Sequence, residues 1–585
     1  MRELNQLRGV NGSDRPVRIL LSGVFGPFGV DDEFGRKENI MELFHNQVTR
    51  GQDTASFRFF HRSFGLYFLA ANVDADVTVL DFPSKDRFEQ EVARGYDMVG
   101  ISFIAPNFVK AREMARITRR VAPGATIVVG GHGAAVEGVE EKIDCDHVVR
   151  GEGIRPLRRL LGQDPDAPIV HPTLPSSEKS SVYGLPAPGT PANLLVPGVG
   201  CVNGCRFCST SHFFGRAYTS YLSTGRELFE TARRIADETG TDEFFVLDEN
   251  FLKDKQRALD LIDEMERHGR HFSFHIFSST ETIRAFGLRN MERLNVTFVW
   301  IGVESSSSQG NFEKNVGLDA RRLVSQLQDH GIIVLASSIL CAEHHTQDNI
   351  QGEIDFMIGL EADFVQFMLL TPLPVTRLYK DHKERGLLRM DLPLEEWHGQ
   401  KELSYRHPEF PGDSAQRWID SAFRQEYEAN SSSLLRVIRT VLKGYERLAR
   451  RWQLDPGQRA RMRMLEQCVR GWSPMLLGVA RLAVNRQERE RALDLDRRVR
   501  KALPLTLIER LKRPAATVIA VAWRLRVRLM GDAIQPDTIV TRYQAQRLRA
   551  APRPIPVEVV SADPERVREQ VAAVAMWATE APAAN

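Results

Sequence analysis

Residues 200–215 read GCVNGCRFCSTSHFFG and set Cys201, Cys205 and Cys208 at CxxxCxxC spacing. Three thiolates on one short loop can converge on a single inorganic centre, and thiolates select zinc, copper(I) or iron-sulfur clusters. Structural zinc needs a fourth ligand, for which His212 is the candidate in this loop. A 4Fe-4S cluster normally takes four cysteines, so three would leave one iron open to a substrate or cofactor.

Strand and helix patterns alternate around this loop from about residue 193 to residue 392. Helices are predicted between the strands, for example over 226–238 and 256–268. The alternation predicts an open, partial (β/α)6 barrel of the TIM type, with its chemistry at the carboxyl ends of the strands. The cysteine loop follows the first strand. The six predicted strands are 193–199, 243–248, 272–278, 297–302, 332–339 and 364–370.

The N-terminal region has a similar alternation of short Val/Ile-rich runs and helical patterns such as 64–72 and 110–121. These features predict an α/β, Rossmann-like doubly wound domain over 1–162, which by fold alone could be structural or protein-binding. A proline-rich linker is predicted over 163–192. The strands are predicted at 16–22, 77–81, 98–103, 126–129 and 147–149.

The cysteine loop, with Phe207 before its last cysteine, resembles the cluster loop of radical S-adenosylmethionine (SAM) enzymes. The segments DMVGIS, IVVGG and DHVVRGEG resemble the cobalamin-binding domain that precedes the core in the cobalamin-dependent branch of that superfamily. The resemblance covers about the first 390 residues. It implies a 4Fe-4S cluster held by Cys201, Cys205 and Cys208, whose open iron chelates SAM and cleaves it to a 5′-deoxyadenosyl radical. Methylcobalamin would then deliver a methyl group.

The resemblance also implies binding residues at the strand ends. Residues 248–250 correspond to the segment that meets the SAM amino group, while Ser278 and Glu304 are candidates for its ribose and carboxylate. Strand capping is the ordinary alternative for each of them. The implied SAM residues are Asp248, Glu249, Asn250, Ser278, Glu304 and Ser305, and the implied cobalamin residues are Ser102, Gly130, Gly131, Gly151, Glu152 and Gly153.

Two departures from the family pattern concern histidines. The DxHxxG motif that supplies a histidine to cobalt is absent, and His132 and His147 are interpreted as ordinary polar residues, so cobalt is expected to lack a protein imidazole. A Gly/Pro-rich turn expected after the fifth barrel strand is replaced by LCAEHHTQDN, which contains Cys341, His344 and His345. These three residues could face the substrate or be polar loop residues.

The chain after residue 392 is predicted to form a basic helical domain over 393–550, followed by a mobile tail over 551–585. Residues 431–530 carry 24 Lys and Arg against 8 Asp and Glu, a net charge of +16. Arginine-rich amphipathic helices can meet an anionic membrane, a polyanion or an acidic domain, but no nucleic-acid motif accompanies the charge. Residues 514–530 are the candidate for a membrane-surface helix, with an ordinary buried helix as the preferred alternative and a break or kink at Pro514.

The leading hypothesis is a cobalamin-dependent radical SAM enzyme that methylates an unactivated carbon of a hydrophobic, lipid-like or natural-product substrate. The alternatives are a cyclase, oxidase or rearrangement enzyme with the same cofactors, and a non-enzymatic cluster-bearing sensor or scaffold. An electron donor such as flavodoxin or ferredoxin is expected. Because no signal peptide or spanning segment is found and cysteines are few, a cytoplasmic location is expected, with possible membrane association.

Overall fold

The computed structural model describes residues 15–26, 31–36, 42–189, 191–306, 319–531, 536–545 and 558–561. Its first unit is a sheet flanked by helices on both faces. Parallel strands pair in the order β3-β1-β4-β5-β6. The elements of this region are β1 (Arg18–Ser22), β2 (Arg58–His61), α1 (Phe64–Ala71), β3 (Asp76–Asp81), α2 (Lys85–Val92), β4 (Met98–Ser102), α3 (Phe108–Val121), β5 (Thr126–Gly130), α4 (Val139–Lys142), β6 (His147–Val148) and α5 (Ile154–Leu160).

Alternate residues of these strands pack on opposite faces. In β1, Leu20 joins a core with α2 and α3, whereas Ile19 and Leu21 join a second core with α1. Since both faces are buried, the strands read as nearly continuous apolar runs. The predicted doubly wound, Rossmann-like domain is confirmed.

The segment predicted as a proline-rich linker contains regular structure. β7 (Ser177–Val182) and β8 (Leu185–Pro186) form a hairpin, and β7 also pairs with β2 to complete a small antiparallel sheet. The sequence prediction missed this sheet because prolines interrupt the pattern around it.

The second unit is a six-stranded parallel sheet in the order β9-β12-β13-β14-β15-β16, with the predicted strands found within a few residues. This is the partial barrel expected from the sequence. Its elements are β9 (Asn193–Leu195), β10 (Gly198–Gly200), α6 (Ser209–Phe213), β11 (Ala217–Ser220), α7 (Gly225–Thr239), β12 (Glu243–Val246), α8 (Lys255–His268), β13 (Ser273–Phe277), α9 (Thr280–Phe286), α10 (Leu288–Arg293), β14 (Val296–Glu304), α11 (Ala320–Asp329), β15 (Ile333–Leu340), α12 (Ile350–Ile358), β16 (Phe364–Leu369) and α13 (Arg377–Glu384).

Helices of the C-terminal region cover the amino ends of the barrel strands. The buried guanidinium of Arg461 donates hydrogen bonds to Asn295 Oδ1, the Val296 carbonyl and the His330 carbonyl, which lie just before or at the start of β14 and β15. These helices therefore do not cover the carboxyl ends of the barrel strands, where the candidate active site is expected. These helices are α14 (Ser414–Asn430), α15 (Ser433–Ala449), α16 (Pro456–Trp472), α17 (Leu476–Leu482), α18 (Arg486–Ala502) and α19 (Leu507–Met530).

Two late strands return to earlier sheets. β17 (Ile539–Tyr543) pairs antiparallel with β3 at the edge of the first sheet, and β18 (Glu558–Ser561) pairs with β11. The sequence analysis anticipated neither strand within the predicted helical domain over 393–550 and mobile tail over 551–585, whose boundaries stay predictions. Most of that tail lies outside the described residues.

The structure corrects two expectations about residues 507–530. Helix α19 continues through Pro514 instead of breaking there. The preferred expectation of an ordinary buried helix over 514–530 is also wrong, because Val518, Leu525 and Leu529 are mostly exposed. No helix in the described residues is both long enough and apolar enough to cross a membrane.

Candidate active site

The cysteine loop lies between β10 and α6, just beyond the carboxyl end of the first barrel strand β9. Cys201, Cys205 and Cys208 are all half-buried. Because the barrel strands are parallel, the polar tips of the following strands lie at this same edge. The loop is thus placed where the sequence predicts.

Hydrogen bonds inside the loop fix its backbone. The buried Ser211 hydroxyl donates to the Cys201 carbonyl (2.7 Å) and accepts from the Gly204 amide (3.0 Å), and the Cys208 amide donates to the Cys205 carbonyl (3.0 Å). Gly204 has φ of +67°, and a Cβ there would lie 2.7 Å from Arg216 Nε. A side chain at position 204 would therefore disturb the turn that presents Cys201 and Cys205.

Arg206 ties the loop to the far side of the barrel. Its guanidinium binds Glu343, beyond β15, at 2.6 Å and Asp381 of α13 at 2.8 Å. The Arg206 carbonyl accepts a further hydrogen bond from the Leu378 amide (3.0 Å). Arg206, which lies between the predicted ligands Cys205 and Cys208, therefore connects the first and last parts of the barrel.

The cysteine thiols influence one another electrostatically. Burial and, to a smaller extent, the nearby charges of Cys208, Glu249 and Cys205 raise the pKa of Cys201 to about 12, although a hydrogen bond with the Asn203 backbone opposes the shift. Thiolates grouped this way need a cationic centre to form at neutral pH, so the residue type and spacing of the three cysteines, and not a preformed ligand geometry, favour an iron-sulfur cluster. Within the described residues, no group of three or more His, Cys, Asp or Glu side chains is arranged to hold a metal ion. His212 interacts with the Cys205 backbone, and burial lowers its pKa.

Asp248 belongs to a buried ion pair at the tip of β12. Its Oδ2 accepts hydrogen bonds from Arg257 (2.8 Å) and from the Tyr218 hydroxyl (2.7 Å), and Arg257 also donates to that hydroxyl (3.1 Å). Burial and the Asp248 charge raise the Tyr218 pKa well above its usual value. Asp248 therefore joins β11, β12 and α8, and its carboxylate is already engaged by protein groups.

Asn250 is the centre of a second buried network. Its amide nitrogen donates to Ser279 Oγ (3.0 Å), while its Oδ1 accepts from Ser278 Oγ (3.1 Å) and Thr282 Oγ1 (3.1 Å). These four side chains are all buried. The network holds the β12 and β13 tips together, which is the capping role expected as the alternative to SAM binding.

Glu249 differs from its two neighbours because it is exposed to solvent. Its charge acts on the Cys201 thiol. Although the residue is exposed, protein packed around its carboxyl group and the charge of Asp248 raise the pKa of Glu249, and the Thr210 side chain opposes the shift. Of the three consecutive polar residues at this strand tip, Glu249 is thus the exposed one, and it lies close enough to the cysteine loop to interact with Cys201 and Thr210.

The tip of β14 contains a strained residue. Glu304 has φ of +67°, in the left-handed region that non-glycine residues rarely adopt. The next turn is held by Glu353 of α12, which accepts hydrogen bonds from Ser305 Oγ (3.0 Å) and from the amide (2.7 Å) and hydroxyl (2.6 Å) of Ser306. Such strain persists only where the surroundings impose it, and it clusters at functional sites.

The residues of the LCAEHHTQDN segment are packed inside their loop. Cys341 and His345 are buried, and His345 Nδ1 accepts a hydrogen bond from the Ala342 amide (3.1 Å). The His344 ring contacts the His345 ring at 4.4 Å. Cys341 and His345 therefore have structural partners, which favours the polar-loop interpretation over substrate contact.

The predicted cobalamin residues lie together at the carboxyl edge of the first sheet. Gly131 and Gly151 have φ of +81° and +79°, and a Cβ on Gly131 would lie 2.6 Å from the Phe103 carbonyl oxygen. Glu152 accepts hydrogen bonds from the amides of Ile154 and Arg155, so it caps α5. Glycine is thus required at this edge by backbone geometry, and Glu152 has a structural task. Ser102, Gly130 and Gly153 occupy the same edge.

This edge contacts the cysteine loop directly. The His132 ring stacks on the Phe213 ring of α6, with centroids 4.5 Å apart and planes at 23°. Burial lowers the pKa of His132 to about 4. Tyr221 donates a long hydrogen bond to Glu152 (3.4 Å). The two predicted cofactor regions therefore share an interface, with His132 packed inside it. His147, in β6, is half-buried.

The inner face of the barrel is aromatic, a feature that the sequence analysis missed. Phe277 stacks on Trp300 (5.2 Å, 29°) and contacts Phe245 edge-on (5.5 Å). His61, from β2, stacks on Phe245 at 6.2 Å. All four side chains are partly exposed, although they face the barrel interior. The signal in the sequence was an aromatic residue at the inward position of consecutive strands.

Comparison with known protein families identifies the N-terminal unit. The family model of the B12 binding domain matches residues 53–161. This span covers β2 to α5 and includes every residue predicted to contact cobalamin. The match confirms that this part of the chain contains a cobalamin-binding domain, and its predicted bounds of 1–162 stay a prediction.

Two curated relatives are methyltransferases by name. An uncharacterized methyltransferase of Pyrococcus horikoshii is 24% identical over 356 residues, covering 54% of this chain and 77% of that protein. Bacteriochlorophyllide d C-12(1)-methyltransferase of Chlorobaculum tepidum is 24% identical over 329 residues, covering 53% of this chain and 71% of that protein.

A solved structure has a similar fold. It is the radical S-adenosylmethionine methyltransferase TsrM from Kitasatospora setae, with cobalamin and a 4Fe-4S cluster bound. The likeness has a TM-score of 0.50 and 15% sequence identity, and it covers 77% of this chain and 99% of that one. At this level of identity the likeness supports the fold, a Rossmann-like domain followed by a partial barrel.

Proposed function

We propose that this chain, a member of the cobalamin-dependent radical SAM superfamily, is a C-methyltransferase acting on a hydrophobic small molecule. The observation that carries the proposal is the contact between the two cofactor regions, where His132 of the B12-binding domain stacks on Phe213 beside the cysteine loop. Two cofactors bound at these edges would lie on either side of one interface. The methyltransferase names of the curated relatives support the reaction type.

The cysteine loop would hold the 4Fe-4S cluster through Cys201, Cys205 and Cys208. When bound, the cluster with SAM supplies a radical that removes a hydrogen atom, and cobalamin supplies the methyl group. The chain's own contribution is to fix the three thiols through the Ser211 and Arg206 contacts and to keep bulk water from the interface.

We assign Glu249 as the residue that meets the SAM ammonium group, because it is exposed and its charge acts on Cys201. A carboxylate there would form a charge-assisted hydrogen bond with the ammonium. Asp248, Asn250 and Ser278 are engaged in buried networks, so we assign them to positioning. Glu304 and Ser305 remain proposed contacts for the rest of SAM, near the strained tip of β14.

The B12-binding domain would hold cobalamin at the edge formed by Ser102, Gly130, Gly131, Gly151 and Gly153. Glycines there allow close approach of the backbone to a large planar ligand. His132 is packed on Phe213 and is held neutral by burial, so we propose that it does not ligate cobalt. Glu152 would hold the edge in shape by capping α5.

The aromatic inner face of the barrel indicates the substrate class. Phe245, Phe277 and Trp300 offer flat apolar surfaces, which favour an aromatic or extended hydrophobic substrate. Near the amino end of this face, Glu243 pairs with His275 at 2.7 Å. A natural-product intermediate of this character fits. An electron donor such as flavodoxin or ferredoxin and a reducing, cytoplasmic location are proposed with it.

Anaerobic reconstitution of Cys205→Ala tests the proposal, with Cys145→Ala as its matched control. Cys145 lies before β6, outside the loop. We expect Cys205→Ala to lose the cluster absorption, the iron and the release of 5′-deoxyadenosine from SAM, and the control to retain all three. A cluster retained in Cys205→Ala would contradict the ligand assignment. A product heavier by one methylene group supports methyl transfer, whereas hydrogen loss or rearrangement would contradict it.

A further inference from the structure

The outward face of α19 is an apolar stripe along a helix of 24 residues. At 3.6 residues per turn, positions 511, 518, 522, 525 and 529 fall on one side of the helix. The side chains of Leu511, Val518, Leu525 and Leu529 on that side are 66%, 68%, 59% and 75% exposed. Large apolar side chains exposed in a row mark an interaction surface.

The opposite side of α19 packs against the protein. Arg513, Ala516 and Ala520 are buried there, and Arg513 binds Asp496 of α18 at 2.5 Å. The helix's one carboxylate, Glu509, is also turned inward, where it accepts hydrogen bonds from Arg470 at 3.2 Å. The docked half thus fixes the orientation of the helix and removes its negative charge from the outward half.

Basic side chains border the apolar stripe on both sides. Arg510 and Arg528 lie along one border, and Lys512 and Arg526 lie along the other, by their positions on the helix. Within the described residues, Arg510, Lys512 and Arg528 form no ion pair, and Arg526 lies over the Trp523 ring at 4.7 Å. An apolar stripe between two cationic borders is the pattern of a helix that lies in a lipid interface.

We propose that α19 binds the surface of an anionic membrane, with its outward stripe inserted among the lipids and its basic borders at the headgroups. Charge complementarity selects this occupant, because a second copy would bring two sets of unpaired cations together. The helix does not cross the membrane. The proposal goes beyond the proposed function and does not depend on it, since the surface lies in the C-terminal helical region.

Vesicle flotation with the reconstituted full-length protein tests this assignment. The probes are vesicles of phosphatidylcholine alone and vesicles of phosphatidylcholine and phosphatidylglycerol in equal parts. We expect the protein to float with the anionic vesicles, less at high salt, and to bind the neutral vesicles weakly. Arg510→Gln with Arg528→Gln should weaken binding by roughly fivefold for each cation removed.

The stripe is tested by Val518→Asp with Leu525→Asp, matched to Met390→Asp with Val484→Asp. The control residues are also exposed apolar side chains, 65% and 49% exposed, outside α19. We expect the α19 variant to lose vesicle binding while its Tm and iron content stay those of the parent, and the control to bind normally. The proposal would be overturned if the parent protein did not bind anionic vesicles, or if the α19 variant bound them as well as the parent does. It would also be overturned if the parent were a dimer that the α19 variant, but not the control, dissociates.

Discussion

The imidazole of His132 stacks on the ring of Phe213 with 4.5 Å between their centroids. His132 follows β5 of the first sheet, and Phe213 ends the short helix after Cys208. Movement of one cofactor region against the other must therefore break or slide an aromatic contact. A pair of this kind contributes about 0.5–1.5 kcal/mol beyond its buried area.

This contact predicts energetic coupling between the two regions. We expect His132→Ala and Phe213→Ala each to lower Tm, and the double variant to cost less than their sum by about 1 kcal/mol. The measurement is a double-mutant cycle on the free energy of unfolding. Pairing Phe213→Ala with Phe356→Ala, on α12 of the outer barrel, provides the control, which should be additive. Additive effects for His132 with Phe213 would argue against the coupling.

The different environments of Asp248 and Glu249 predict that a substitution at one lowers stability and a substitution at the other weakens SAM binding. Asp248→Asn leaves the buried Arg257 charge without its full partner, so we expect a loss of about 3 kcal/mol in stability. Glu249→Gln removes an exposed charge, so Tm should hardly change while SAM binding weakens by at least about tenfold. Thermal unfolding and SAM titration of the reconstituted variants check both. Normal SAM binding by Glu249→Gln would contradict the assignment of Glu249 to the SAM ammonium group.

Substitution of Gly131 is predicted to reduce cobalamin binding without affecting the iron-sulfur cluster. In Gly131→Ala the new Cβ would meet the Phe103 carbonyl and the residue would keep a φ of +81°, which costs about 1–3 kcal/mol. We expect this variant to retain iron but to bind less cobalamin, measured by its corrinoid absorption after reconstitution. Gly124→Ala is the matched control, because no atom lies within 4 Å of a Cβ there. Equal corrinoid content in both variants would count against this edge as the binding site.

The ionised carboxylate of Glu292 is expected to make the stability of the protein depend on pH, because it joins the barrel to the C-terminal helices. Burial alone would raise its pKa, but the hydrogen bond with His330 and the charges of Arg447 and Arg451 lower it from 4.5 to about 2. The folded pKa lies below the unfolded one, so the stabilisation is complete above about pH 4.5 and is lost as the pH falls toward 2.

We therefore expect Glu292→Gln to be less stable than the parent by on the order of 2 kcal/mol at neutral pH. The difference in Tm should shrink below about pH 4.5. Glu361→Gln, which removes a carboxylate that is 64% exposed, is the control and should change Tm little at any pH. A difference for Glu292→Gln that is independent of pH would refute the linkage.

The sequence predicts the two α/β units well because each repeats a local pattern. Apolar runs of strand length alternate with amphipathic helices, and the helix Gly225–Thr239 begins at a Thr224–Glu227 capping box that is visible in the letters alone. The cysteine loop is likewise local, since its three thiols lie within eight residues. Features of this kind need no knowledge of distant partners.

The sequence could not distinguish the roles of Asp248 and Glu249, which are chemically alike. Arg257 and Tyr218 bind one of them, and both partners belong to other elements. The aromatic inner face is hidden for a different reason. In β12, which reads EFFV, Phe244 packs outward and Phe245 inward, so no polar residue marks the alternation.

The pairing of Ile539 with Asp81 bears on how this chain is made. During synthesis, β3 remains an uncovered edge of the first sheet until its partner leaves the ribosome, and elongation proceeds at about 5–20 residues per second. That delay is roughly half a minute or more, during which an open edge can recruit another chain. Productive folding of the N-terminal unit therefore depends on how it is sheltered before translation ends.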